Sequence, residues 1–401
     1  MGEVAVLFHE LSFVPEGGEM TVGRADSGSY AVLPADGAAL LRELVQGMPP
    51  EHAAQWYEST FGEQVDIGDF LETLRELGFV RANSEMVAGP PAGIALQWLG
   101  RALFSPFAWL CYTVLIAVWL FAVVHDNDLW PRPRYVFFTH SLLVVQLSMI
   151  VGQLPLVFLH EAFHTLAGRR LGLRSRLGIS NRYMYIVFET QMNGLLSVER
   201  RKRYLPFLAG MVCDVVELSL LGLLANATRD ANGSFSLTGR IALALAFTVV
   251  IRLAWQFQLY LRTDLYYVFS TALSCHDLHD ASTTLLRNRI WRLLRRPHRV
   301  VDEQQWTERD REVGRWYGPF LVLGVVALLL ITALGSLPLL VQYVGTAVRH
   351  MSDGPLDGSF WDGALPLLNS VVWLLVPVYL ARRKRRQARS RQFPATIKEV
   401  N

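Results

Sequence analysis

The stretch LPLVFLHEAFHTLAG (154–168) sets two histidines and a glutamate inside an apolar run. His160 and His164 stand four residues apart, so on a helix their imidazoles leave one face about one turn from each other. Two imidazoles so arranged can share one metal ion. Glu161, the next residue along, is then placed to take a proton from water at that ion. The competing use of such residues is a polar knot between packed helices. Ionisable groups at membrane depth are costly, which makes a functional role the first expectation.

A catalytic zinc needs a third protein ligand and one open position. Two acids in later apolar stretches could supply the ligand: Asp264 in FQLYLRTDLYYVFSTAL and Asp214 in LPFLAGMVCDVVEL. The HEAFH turn falls shortly before Arg169, at the basic end of its run, and Asp264 follows Arg262 at the matching end of a run of the same direction. Asp264 is therefore the favoured ligand and Asp214 the second candidate. Asp214 and Glu217, one turn apart, are better placed to neutralise Arg252, a cation stranded in an apolar run.

The elements that must carry these residues are membrane helices. The 401-residue chain is 52% hydrophobic and only 18% charged, too poor in charge for an ordinary soluble protein of that length. Six apolar spans are expected, at about 106–125, 135–170, 204–227, 238–262, 317–346 and 363–381, each long enough for a hydrocarbon layer of ~30 Å. Gly152 and Pro155 predict a kink or break in the second, and Gly335 and Pro338 a bend in the fifth. Clusters such as Arg200–Arg203, RNRIWRLLRRPHR (287–299) and RRKRRQARSR (382–391) fall in alternate loops. The positive-inside rule then puts both termini in the cytoplasm. The 287–299 segment is also amphipathic, suited to lying on an anionic leaflet of the lipid bilayer. Cys111, Cys213 and Cys275 form no CxxC pair, so no disulfide framework is expected.

An HExxH on one membrane helix with a distant Asp on a later one resembles the site-2 protease group of intramembrane zinc metallopeptidases. The nearer likeness is to bacterial peptide zinc metalloproteases, whose second motif runs approximately N-P-x-x-R-x-D-G-Y-Y. QLYLRTDLYY (258–267) lies on that pattern with Arg262, Asp264, Tyr266 and Tyr267 matching, and departs from it with Gln258 for Asn, Leu259 for Pro and Leu265 for Gly. The resemblance covers residues 100–300 and implies Zn²⁺ on His160, His164 and Asp264, Glu161 as the base, and peptide hydrolysis in a bacterial inner membrane. It also implies a substrate amide contact at Gln258. The segment GISNRYMYIVFETQMNGLLSVE (178–199) is expected to form strands, with Asn193-Gly194 as a turn signal and Asn193 as a candidate substrate contact.

Residues 1–83 read differently. VAVLFHEL and Glu19–Leu33 alternate as a small β-ribbon, and three amphipathic helices follow, punctuated by Gly47, Pro50 and Gly62. This winged-helix-like layout resembles PqqD-like domains, which bind leader peptides of ribosomally made, modified peptides. A leader-bearing precursor peptide is the partner implied, added as a strand to the ribbon edge. The acidic second and third helices argue against nucleic acid.

The expected fold is thus a mainly α, polytopic membrane protein of about six transmembrane helices with a small α+β N-terminal domain. Its parts are 1–85, a linker 86–105, a metallopeptidase core 106–278, the basic segment 279–316, two last helices in 317–381, and a basic tail 382–401. Oligomeric state has no signature in the sequence. A non-hydrolytic export, immunity or assembly protein keeping the same fold is the alternative function, favoured by the altered second motif and opposed by the presence of Glu161.

Overall fold

The structure is a computed structural model and describes residues 6–16, 18–24, 28–81, 93–182, 185–275, 277–331, 333–334, 337–352 and 354–391. At the N-terminus, β1 (Ser12–Glu16), β2 (Glu19–Arg24) and β3 (Ser29–Pro34) form an antiparallel sheet in that order, with Phe13 opposite Val22 and Val22 opposite Ala31. Three helices follow: α1 (Ala35–Val45), α2 (Pro50–Phe61) and α3 (Ile67–Glu76). Their limits are local chemistry. Pro50 opens α2, whose missing N–H costs nothing in a first turn, and Gly62 closes it in the left-handed region at φ 77°. Asp66 caps α3 by accepting from the N–H groups of Gly68 and Asp69. Val22, Leu41, Leu44, Leu74 and Phe79 meet in the core of this unit.

The ribbon differs from expectation in one respect. Residues 6–11 contribute only a bridge between Phe8 and Val80, and the first full strand is SFVPE, which the alternation of the preceding residues obscured.

The rest is helical: α4 (Gln97–Leu103), α5 (Pro106–His125), α6 (Leu142–Arg170), α7 (Arg200–Ala227), α8 (Leu237–Trp255), α9 (Asp264–Ala272), α10 (Leu278–Leu293), α11 (Glu308–Ile331), α12 (Leu337–Met351) and α13 (Gly358–Arg391). Among the described residues five are long and apolar enough to span a bilayer: α5, α6, α7, α8 and α11. Their apolar surface is turned outward. Phe107 is 74% and Val124 81% exposed on α5, tolerable only where the surroundings are themselves apolar, which marks a membrane protein. α7 packs between α6 and α8, and α5 against α7.

Three span expectations are corrected. α6 runs unbroken through Gly152 and Pro155 for 29 residues, about 43 Å at 1.5 Å per residue, so the proline is absorbed rather than breaking the helix. The fourth span ends at Trp255, not 262: the N–H groups of Gln256, Phe257 and Gln258 turn to carbonyls three residues back, which tightens and ends the helix. The fifth span is two helices, α11 and α12, and α12 with 15 residues is too short to cross. The sixth expected span, 363–381, falls within the single helix α13.

α6 is tied at its start from a distance. Asp362 of α13 accepts from the backbone N–H groups of Leu142 and Leu143 at 3.0 Å each, from the Ser141 hydroxyl and from His350 Nδ1. After α6 the chain makes a hairpin of β4 (Arg174–Arg182) and β5 (Tyr185–Asn193). Arg182 pairs with Tyr185 and Arg174 with Asn193, so Asn193-Gly194 is not the hairpin turn. Gly194, at φ 90°, ends β5 and leads into a 3-10 turn at Leu195–Ser197. That turn touches β1 and β2, and the Ser197 hydroxyl reaches Tyr30 Oη at 3.3 Å.

Candidate metal centre

The helical spacing of HEAFH delivers what it promised locally: His160 and His164 lie on one face of α6, both buried. What faces them comes from elsewhere. Across from them on α7 stands Gly210, whose missing side chain makes the space; a Cβ there would lie 2.3 Å from His164 Nε2 and 2.5 Å from His160 Nε2. The remaining ring nitrogens are engaged on the far side. His160 Nδ1 is 2.8 Å from Asp214 Oδ1, and His164 Nδ1 is 2.7 Å from the Pro206 carbonyl oxygen.

Those two acceptors decide the tautomers. A carbonyl oxygen can only accept, so His164 carries its proton on Nδ1, and the Asp214 carboxylate draws the His160 proton to Nδ1 in the same way. Both Nε2 atoms are then lone-pair donors, 3.2 Å apart.

The third donor is Asp264. Its Oδ2 lies 3.2 Å from His164 Nε2 and 3.5 Å from His160 Nε2. Asp264 is the first residue of α9, reached through an irregular segment rather than at the end of a continuous span. The Thr263 hydroxyl donates to the Gln256 carbonyl at 2.6 Å, and Gln256 Oε1 accepts from the Asp264 N–H at 3.1 Å. Arg262 turns the chain through the left-handed region at φ 54° and pairs with Asp280 at 2.5 Å. Tyr267 stacks on Phe207 of α7, ring centroids 5.4 Å apart, which ties α9 to the helix that carries Gly210.

Three lone-pair donors pointed at one another repel unless a cation or protons sit among them. His160, His164 and Asp264 bring their ligand atoms within 4.8 Å of one another and could hold a metal ion. The centre is closed on one side and open on the other. The histidine side chains are 6% and 4% exposed, whereas that of Asp264 is 24% exposed, leaving an approach from the Asp264 side.

Glu161 points to the hairpin. Thr190 of β5 has its hydroxyl 2.9 Å from Glu161 Oε2 and 3.0 Å from the Glu161 carbonyl, with the Thr165 hydroxyl 3.2 Å away. Of the other sequence candidates, Asp214 is fully buried and addresses the outer nitrogen of His160, not the space between the rings. Arg252 joins it there, Nε 2.9 Å and Nη2 2.6 Å from Asp214 Oδ1, and also pairs with Glu217. Gln258 is buried, and its Oε1 finds no partner among the described residues. The backbone of Asn193 pairs with Arg174, and its side chain lies outside what the structure describes.

Gln256, Thr190 and Gly210 were not legible as site residues. Gly210 alone had a signal, lying one helical turn before Asp214 on the same face. Comparison with protein-family models, with curated proteins and with solved structures returned no match to this chain.

Proposed function

We propose that this chain is a membrane-embedded zinc metallopeptidase that hydrolyses a peptide bond, in a ribosomally made precursor recognised by the N-terminal domain. One observation carries the reading. Two ligand atoms each ~2.05 Å from a tetrahedral Zn²⁺ stand about 3.3 Å apart. The three donor atoms of His160, His164 and Asp264 stand 3.2, 3.2 and 3.5 Å apart, with a carboxylate, Glu161, next in the chain.

A zinc ion bound there supplies Lewis acidity to water and to a carbonyl oxygen. The chain supplies the rest. Glu161 accepts the proton of the attacking water and returns it to the leaving amine, a contribution of about 10²–10⁴ in rate. The Thr190 hydroxyl holds the Glu161 carboxylate ready for that transfer. The substrate enters from the Asp264 side, extended along the β4–β5 hairpin, whose backbone offers an edge for pairing.

The wider assignment follows the same resemblance: a site-2 protease-like core, closest to bacterial peptide zinc metalloproteases, in the inner membrane with both termini cytoplasmic, a sixth span within α13, and a PqqD-like winged-helix unit at the N-terminus. The second reading, a non-hydrolytic export, immunity or assembly protein, is favoured by Leu265 beside the ligand and by Gln258 Oε1, which finds no partner among the described residues. Purified full chain, wild type and Glu161→Gln, assayed against a fluorogenic peptide library with bound zinc measured in parallel, separates the two. Cleavage by wild type that Glu161→Gln abolishes supports the peptidase. Zinc without cleavage, or cleavage unchanged in the variant, overturns it.

A further inference from the structure

Beneath the histidines lies a second group of charges. Asp214 and Glu217 sit one turn apart on α7, and Arg252 reaches both from α8. Asp214 Oδ1 is used three times, by His160 Nδ1 at 2.8 Å and by Arg252 Nε and Nη2 at 2.9 and 2.6 Å, while Oδ2 is buried without a partner among the described residues. The Cys213 thiol donates to Glu217 Oε1 at 3.5 Å. An arginine and two carboxylates at membrane depth are expensive to bury, and a polar group whose only task is packing is replaceable by an apolar one.

The pattern of bonds gives the cluster a direction. All three contacts to Asp214, two hydrogen bonds and an ion pair, converge on the one oxygen that faces His160, so the guanidinium fixes the carboxylate in the orientation that holds the ring. The ring in turn has its Nδ1 proton committed and its Nε2 lone pair turned toward His164 and Asp264. Asp214 and Glu217 share the single guanidinium of Arg252, which leaves that cluster one negative charge in excess on the outer side of His160.

We propose that Asp214, held by Arg252 and Glu217, is a positioning residue: it sets the tautomer and angle of His160 and raises the affinity of the centre for a divalent metal, without itself being a ligand. The proposal rests on the metal reading of His160, His164 and Asp264. An outer partner of this kind is worth about 10–100-fold in metal affinity.

The test uses the full chain in detergent, stripped with chelator and titrated with Zn²⁺ against a chromophoric competitor. Co²⁺ absorption reports the ligand field. Asp214→Asn, close in shape but without the charge, is expected to bind Zn²⁺ about 10–100-fold more weakly and to shift the Co²⁺ bands while keeping a four-coordinate intensity. Arg252→Lys keeps the charge but loses the planar fork, and should bind Zn²⁺ more weakly than wild type but more tightly than Asp214→Asn; its deficit against wild type is the readout if Asp214→Asn fails to fold. Asp264→Ala should lose the ion altogether. Wild-type affinity and spectrum in both Asp214→Asn and Arg252→Lys overturn the positioning role while leaving the centre standing. Absence of Zn²⁺ binding by wild type overturns the metal reading itself. Loss of Co²⁺ coordination in Asp214→Asn equal to that in Asp264→Ala would make Asp214 a ligand and also overturn the proposal.

Discussion

Gly210 and His164 stand on neighbouring helices so close that a single methyl between them would lie 2.3 Å from the His164 Nε2. Alanine at an ordinary buried helical glycine gains roughly 1 kcal/mol of helix propensity. Here the gain is outweighed. Gly210→Ala is expected to leave helical content intact by circular dichroism, cost about 1–3 kcal/mol through overpacking, and lower bound metal at least about 10-fold by pushing the imidazoles out of place. Unchanged metal affinity would mean that the rings face another way.

Removing a ligand tests the centre more directly. His160→Ala and Asp264→Ala should each lose stoichiometric metal after dialysis, measured by elemental analysis on protein of matched helical content. A full complement in Asp264→Ala would reassign the third ligand, and Asp214 would be next in line.

Thr190 offers a graded test of how Glu161 is held. Thr190→Val removes the hydroxyl 2.9 Å from Glu161 Oε2 at nearly constant volume. Metal binding should be unaffected and the rate of peptide cleavage about 10-fold lower, less than the ~10²–10⁴ loss expected of Glu161→Gln. Equal loss in both variants would make Thr190 part of the chemistry rather than of the alignment.

The N-terminal unit has its own titration. The Tyr57 hydroxyl donates to Asp36. That bond holds the Asp36 carboxyl below its usual range and pushes Tyr57 up to about 12. The depressed Asp36 value means that its share of stability is whole above about pH 4 and is lost as pH falls through the folded value. The raised Tyr57 value means that its share is whole below about pH 10 and is lost as pH rises through about 12. Tyr57→Phe should therefore destabilise α1 and α2 by about 1 kcal/mol near neutrality, a difference that shrinks at both extremes. Hydrogen exchange of the α1 and α2 amides across pH measures it, and a pH-independent difference would show that the bond is not the cause.

What the sequence could reveal depended on how local each relationship is. His160, Glu161 and His164 were legible because one helical turn relates them. The charge pairing of Arg252 with Asp214 and Glu217 was legible because an unpaired arginine in hydrocarbon demands an acid. Asp264 was found as a residue but misjudged in setting. Hydropathy carried the fourth span through to 262, and no periodicity announces the backbone turn that Gln256 and Arg262 build after Trp255. Pro155 makes no break, because a helix braced by neighbours can carry a proline that would end an isolated one. Thr190 and Gly210 belong to contacts between elements distant in sequence; nothing in the neighbourhood of Thr190 distinguishes it, and Gly210 is marked only by lying one helical turn before Asp214.

One helix carries both histidines, and it is anchored twice. Asp362 grips its first turn, and near its far end Gly100 of α4 brings its backbone so close that a Cβ would lie 2.3 Å from the Leu166 carbonyl oxygen. Asp264 hangs instead from a stretch of irregular chain between Trp255 and α9. The three donors thus differ in compliance: two are set in a rigid rod and one rides on a strap. For an ion held there, the two imidazoles would be a standing half-socket and Asp264 the latch that closes it, and the exchange rate would report the stiffness of eight residues of loop rather than the strength of the helices around it.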